Sequence, residues 1–196
     1  MGVLWRKLIR DLWQSKSQFI SVLVIIIIGV MFYSGFNTTY RDLSLTSQEY
    51  YKELRFGDLW ADMYRAPDNI ETKLETLPFV KKATARLIED VKMELDGENV
   101  ALRVITLPDK KTELVNDIII KSGGYFNDTD SNQCLVEEEF LKANGLTVGD
   151  YLNPIINGTE VRLRITGAVK SPEFIYPIKD GSQLIGDSMR FGIIFV

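Results

Sequence analysis

FISVLVIIIIGVMFYSGF, Phe19 to Phe36, is the stretch that decides how this chain is read. It runs 18 residues without a charge. At 1.5 Å per residue it makes about 27 Å of helix, close to the hydrocarbon thickness of a bilayer. Ser21 and Ser34 can bond back to helix carbonyls, and Gly29 and Gly35 are tolerated in membrane helices. The stretch reads as one transmembrane helix. A soluble core helix would need a polar stripe, and Ile25 to Ile28 leaves none. A cleaved signal peptide would need small residues at its end, where Val30-Met31-Phe32-Tyr33 is bulky.

Outward from the span, charge is distributed unevenly. The 196 residues carry a net −4. Residues 1–17 hold Arg6, Lys7, Arg10 and Lys16 against Asp11, so the remainder is strongly acidic. Positive charge just before a span predicts a cytoplasmic N-terminus and an extracytoplasmic body. An acidic body without a basic patch argues against a nucleic-acid partner. Histidine is absent, which removes the commonest general base and metal ligand, and Cys134 is the single cysteine, so no internal disulfide exists.

In VLWRKLIRDLWQ, residues 3–14, Trp5, Leu8, Ile9, Leu12 and Trp13 recur at helical spacing opposite Arg6, Lys7, Arg10 and Asp11. Tryptophan and leucine opposite basic residues suit a helix lying among lipid headgroups, with Ser15 to Gln18 as the elbow into the span. The predicted organisation is therefore a cytoplasmic interfacial helix over 1–17, a span over 18–36, a helical stalk over 37–57 ended by Gly57, and an α+β domain over 58–196.

Within that domain, DLWADMY (58–64) alternates and predicts a strand. Pro67-Asp68 opens a short helix with Ile70, Leu74 and Leu77 on one side. Alternation on either side of Asp96-Gly97 predicts a hairpin. Ile118 to Ile120 and Cys134 to Val136 read as strands, and Asn127 to Asn132 as loop. Glu137 to Asn144 reads as a helix with Gly145 as its left-handed cap. A second hairpin is expected from Leu152–Ile156 and Val161–Ile165 around Asn157-Gly158. Phe191 to Val196 reads as a final strand at an open sheet edge, with the domain truncated after it.

No group of residues reads as catalytic. Glu137-Glu138-Glu139 points in different directions along a helix and suits a helix N-terminus better than an acid/base pair. Ser171, Ser182 and Ser188 have no histidine to activate them. No metal site, cofactor site or phosphate loop is expected.

Four stretches carry a resemblance. They are Tyr50-Tyr51 with Phe56 and Asp58-Leu59; Pro78-Phe79-Val80-Lys81-Lys82-Ala83 with Arg86; Asn144-Gly145-Leu146-Thr147-Val148-Gly149-Asp150; and Ser171-Pro172-Glu173-Phe174-Ile175-Tyr176-Pro177 with Asp180-Gly181, Asp187 and Phe191-Gly192. In this order, after a basic helix and one span, they resemble the start of an FtsX-like or MacB-type ABC transporter permease, whose extracytoplasmic part is the MacB periplasmic core domain.

The resemblance implies a non-catalytic membrane subunit in the plasma membrane of a bacterium. It would pair with a second permease copy or paralogue and with a separate ABC ATPase subunit. Residues Trp5, Arg6, Lys7, Arg10 and Trp13 would meet that ATPase or membrane lipids. Such permeases carry at least three further spans after the outside domain, whereas this sequence holds only the first. The rival readings are a single-span anchored extracellular binding or sensor module and a membrane-anchored extracellular enzyme.

Overall fold

A computed structural model describes residues 2–127, 132–179 and 186–196 of the 196. The chain forms two compact units, 1–49 and 50–196.

The first unit holds α1 (Val3–Gln14) and most of α2 (Lys16–Glu53). The expected four-residue elbow contracts to Ser15. Its amide and its hydroxyl both donate to the Asp11 carbonyl, and the Phe19 amide donates to its own carbonyl. The helical hydrogen bonding therefore scarcely lapses there. Trp5 and Trp13 are exposed on α1, as are Arg6, Lys7 and Arg10. The side chains of Leu8 and Leu12 lie outside the described set.

In α2, Phe19 and Phe36 are not helix ends. One helix of 38 residues, about 57 Å long, contains both the apolar stretch and most of the polar residues expected to form the helical stalk. None of its side chains is buried by the protein, and Ile25 is 69% exposed. A soluble core helix would be covered, so that reading fails. This is the one helix among the described residues long and apolar enough to cross a membrane.

The second unit is α+β, built on a nine-stranded mixed sheet. Its strands are β1 (Ile88–Leu95), β2 (Glu98–Ile105), β3 (Ile119–Gly123), β4 (Gln133–Glu137), β5 (Tyr151–Leu152), β6 (Ile155–Ile156), β7 (Thr159–Glu160), β8 (Leu163–Lys170) and β9 (Phe191–Phe195). Their spatial order is β3-β8-β4-β9-β2-β1-β6-β7, with β5 also on β8. Pairs β4–β8 and β2–β9 are parallel.

The β1–β2 hairpin closes through Asp96 and Gly97, both at positive φ (51° and 82°). This is the mirror-image turn that matches strand twist. Asn157 and Gly158 (50° and 77°) repeat it between β6 and β7. The second hairpin is thus smaller than its sequence suggests. Leu152 belongs to β5, which pairs with β8, and β8 is a long interior strand bordered by β3 and β4.

Both faces of the sheet are covered. Val91, Met93, Leu102, Val136 and Ile194 pack on one side with Phe140 of α4 (Glu138–Ala143). Ile105, Leu135, Val169, Ile193 and Phe195 pack on the other with Leu114 and Ile118. Burial on both sides explains the unbroken apolar runs of β4 and β9.

It also corrects the expectation for the last strand. β9 is not an edge; it lies between β2 and β4, and every residue in it is buried. A continuous run such as FGIIF signals a central strand, whereas an edge strand would alternate. Gly192 is needed there because a Cβ would stand 2.4 Å from Phe140 Cδ2.

One further expectation fails. Residues 58–64 form no strand, and Leu59 is 86% exposed, since no neighbouring strand supplies a ladder. The short helix expected after Pro67-Asp68 is present as α3 (Ile70–Glu75), with Leu74 and Leu77 exposed.

Candidate functional site: a polar joint at the end of the long helix

α2 does not end at Gly57. Leu54 caps it, and Arg55 follows in the left-handed region at φ 51°. The Phe56 amide donates to the Tyr51 carbonyl and the Arg55 amide to the Lys52 carbonyl. That is a Schellman closure with arginine in the place where glycine is usual. The rings of Tyr51 and Phe56 add the accompanying apolar contact at 4.7 Å, and Trp60 lies 5.1 Å beyond Phe56.

An arginine held at positive φ is strained and needs compensation. Arg55 pairs with Glu113 at 2.9 Å and with Asp117 at 3.6 Å. Its carbonyl accepts from the Asn116 amide, and the Leu54 carbonyl accepts from the Asp117 amide. Asn116 is itself left-handed, at φ 56°, and buried. Two strained non-glycine residues therefore hold each other across the gap between the helix end and the loop before β3.

One carboxylate gathers the rest. Glu173 sits in a 3₁₀ turn, Pro172–Phe174, begun by buried Ser171, whose Oγ accepts from the Glu173 amide. Glu173 Oε2 accepts from Arg86 at 2.6 Å. Glu173 Oε1 accepts from Asn116 Nδ2 at 2.6 Å and from Trp60 Nε1 at 3.2 Å. Arg86 also donates to the carbonyls of Val115 and Asn116, and Asn116 Oδ1 accepts from the Gly57 amide at 2.7 Å. The Val115 amide donates to Thr84 Oγ1.

The Arg86 and Glu173 side chains are only 9% and 17% exposed. Removing one partner from such a pair strands a charge away from water. The joint thus ties four segments with little sheet hydrogen bonding of their own: the root of α2, the approach to β1, the loop before β3 and the exit from β8.

The stretches singled out in the sequence divide between this joint and elsewhere. Three contribute to it: Tyr51, Phe56 and Gly57; Arg86; and Ser171, Pro172 and Glu173. Within the last of these, Pro177 is buried and Tyr176 exposed. Asp180 and Gly181 lie outside the described residues, as do positions 128–131 of the loop predicted over Asn127 to Asn132.

The Gly145–Asp150 stretch is a self-contained turn. Gly145 (φ 63°) and Leu146 close α4 with amides on Lys142 and Leu141, Val148 is exposed, and Asp150 Oδ2 accepts from the Thr147 amide and hydroxyl. The Gly149 amide donates to Ile165, which fastens the turn to β8.

Glu137 caps α4, accepting from the Phe140 amide at 2.9 Å, and Glu138 and Glu139 fill its first turn. The acidic run therefore serves a helix N-terminus. Burial nevertheless raises the Glu137 carboxyl above the usual carboxylate range. Cys134 is fully buried, and burial pushes its thiol up to about 12. Among the described residues, no group of three His, Cys, Asp or Glu is placed to hold a metal ion.

Sequence reasoning missed Asn116. Its partners lie tens of residues away, and the local signal was only an Asn-Asp pair after an apolar residue.

No protein-family model and no curated protein matches the chain. Among solved structures, the chain is similar to the extracellular domain of the noncanonic ABC-type transporter YknZ from Gram-positive bacteria, at 14% identity and a TM-score of 0.38. The likeness covers 64% of this chain and 58% of that one, so the chain spans a little over half the length of the structure it matches.

Proposed function

We propose that this chain is the permease subunit of an ATP-driven ABC transporter or mechanotransmission complex in the plasma membrane of a bacterium. Residues 18–36 span the bilayer, 1–17 lie at the cytoplasmic face, 37–57 act as the stalk, and 58–196 form the extracytoplasmic domain. A separate ABC ATPase supplies the energy, and a second permease copy or paralogue completes the dimer. The subunit itself does no covalent chemistry.

One observation carries this reading: the helix that contains the apolar stretch runs unbroken to Glu53, and its root is fastened by the joint. A continuous helix passes displacement along its axis, and a root held by the two Arg55 ion pairs and by backbone bonds from Asn116 and Asp117 passes it on instead of fraying. A helix that merely anchors a binding module needs neither feature.

The test uses α1. A helix that only rests on anionic lipid loses about 1 kcal/mol for each basic residue removed. One that also docks an ATPase loses the partner. Full-length protein carrying Arg6→Glu and Arg10→Glu should insert normally but lose its co-purifying ATP hydrolysis. Unchanged ATPase recovery with unchanged topology would leave α1 a plain anchor with the docking surface elsewhere, whereas no ATP hydrolysis co-purifying with the unaltered chain would favour the single-span binding or sensor module.

A further inference from the structure

We propose that the joint around Glu173 is a latch that opens as one unit while the nine-stranded sheet stays folded. This goes beyond the transporter reading and does not depend on it.

Three observations lead there. The first is how little else holds residues 50–87. Leu54 is the only residue of that segment in the buried class, and no strand precedes β1. Meanwhile Leu59, Met63, Tyr64 and Phe79 stand exposed. A segment with few buried apolar contacts and no sheet ladder belongs to the low-stability part of a fold. Its attachment to the sheet is therefore polar and concentrated at the joint.

The second is sharing. The donors from Trp60, Arg86 and Asn116 all end on one carboxylate, and Asn116 in turn holds Gly57. A charge away from water is costly without its partners, so a half-open joint is disfavoured against one that is either closed or fully hydrated. Groups coupled in this way separate together.

The third is stored strain. Arg55 and Asn116 are both held at positive φ, and the Asn116 amide donates to the Arg55 carbonyl. Opening lets both relax toward ordinary backbone conformations, which favours release once the carboxylate has been freed. The sheet loses none of its own ladder bonds in this motion. The joint's bonds are made by side chains and by backbone outside the strands.

The experiment is hydrogen exchange read by mass spectrometry on the whole chain in lipid nanodiscs, repeated across urea concentrations below the unfolding transition. Peptides covering 54–56, 57–60 and 113–118, whose amides are bonded at the joint, should exchange at one common rate. That rate should be about tenfold or more faster than that of β4 and β9 and nearly independent of urea, as expected of a local opening.

Glu173→Gln keeps the shape and one acceptor but removes the charge. It should speed all three segments together by about tenfold, the effect of weakening a charge-assisted hydrogen bond. Asn116→Gly keeps the left-handed backbone while deleting the side chain, and should act in the same direction. Exchange of the three segments at the sheet's rate and with the sheet's urea dependence would overturn the latch. So would a Glu173→Gln effect confined to one segment. If Glu173→Gln does not fold, the wild-type urea series and Asn116→Gly decide the matter.

Discussion

Gly192→Ala adds one methyl group at the middle of β9. An ideal Cβ at that position lies 2.4, 2.6 and 2.8 Å from Cδ2, Cγ and Cε2 of the Phe140 ring. Carbon atoms in contact sit about 3.5–4.0 Å apart. Either the ring or the strand must therefore retreat by roughly 1 Å. Phe140 is fully buried, and β9 is hydrogen-bonded on both sides, so neither moves freely. Overpacking of this kind costs about 1–3 kcal/mol. For a domain of about 150 residues that corresponds to a fall in melting temperature of roughly 2–12 °C.

The assay is thermal unfolding in detergent micelles of four proteins: wild type, Gly192→Ala, Phe140→Leu and the double variant. Phe140→Leu removes the obstructing ring at its own cost, and the new methyl group then fills part of the space. The double variant should lose less than the two single losses together, with a coupling of about 0.5–3 kcal/mol. At an exposed edge the same change would be neutral, or stabilising by up to about 1 kcal/mol, because alanine is stiffer than glycine in a strand. An unchanged or raised melting temperature for Gly192→Ala, or strict additivity with Phe140→Leu, would refute the central placement of β9.

Two further predictions concern buried titrating groups. The Glu137 carboxyl is raised above its unfolded value by burial, so its favourable contribution is complete below the ordinary glutamate range and is lost as pH rises through the raised folded value. Glu137→Gln keeps an acceptor for the Phe140 amide, so in denaturation midpoints followed against pH it should match or exceed wild type at neutral pH and lose that advantage as pH falls into the glutamate range. A neutral-pH loss of about 1 kcal/mol or more would show instead that the charge at the N-terminus of α4 outweighs burial. Cys134, buried and with its thiol pushed up to about 12, should not react with maleimide in the folded protein at pH 8 and should react fully in denaturant; labelling of the native protein would contradict its placement in the core.

What the sequence shows and what it hides divide along chain distance. The long apolar helix, the Asp96-Gly97 and Asn157-Gly158 turns, the Glu137 cap and the Gly145 closure are all written in local stretches of sequence. Short-range chemistry fixes each of them. β9 was misplaced because an apolar run says that a strand is buried but not which strands flank it, and its partners β2 and β4 lie far away in the chain.

The segment over 58–64 alternates like a strand yet has nothing to pair with. Gly57 reads as the end of α2 because glycine is the usual left-handed cap, whereas Arg55 takes that conformation with ion pairs to offset the strain. The joint was only half visible. Arg86 and Glu173 stand in stretches that drew notice, but no local pattern says that a carboxylate 87 residues on is the partner of that arginine.

Orientation in the membrane tests the proposed function most directly. Cys134 is expected to be silent, so single introduced cysteines report cleanly. Thr159, exposed in β7, gives a labelling site on the domain surface. Intact cells bearing Thr159→Cys or Ser15→Cys are treated with a membrane-impermeant maleimide. Position 159 should be labelled and position 15 protected until the membrane is opened. Labelling at position 15 with protection at 159 would place the acidic domain in the cytoplasm and contradict the account at its centre.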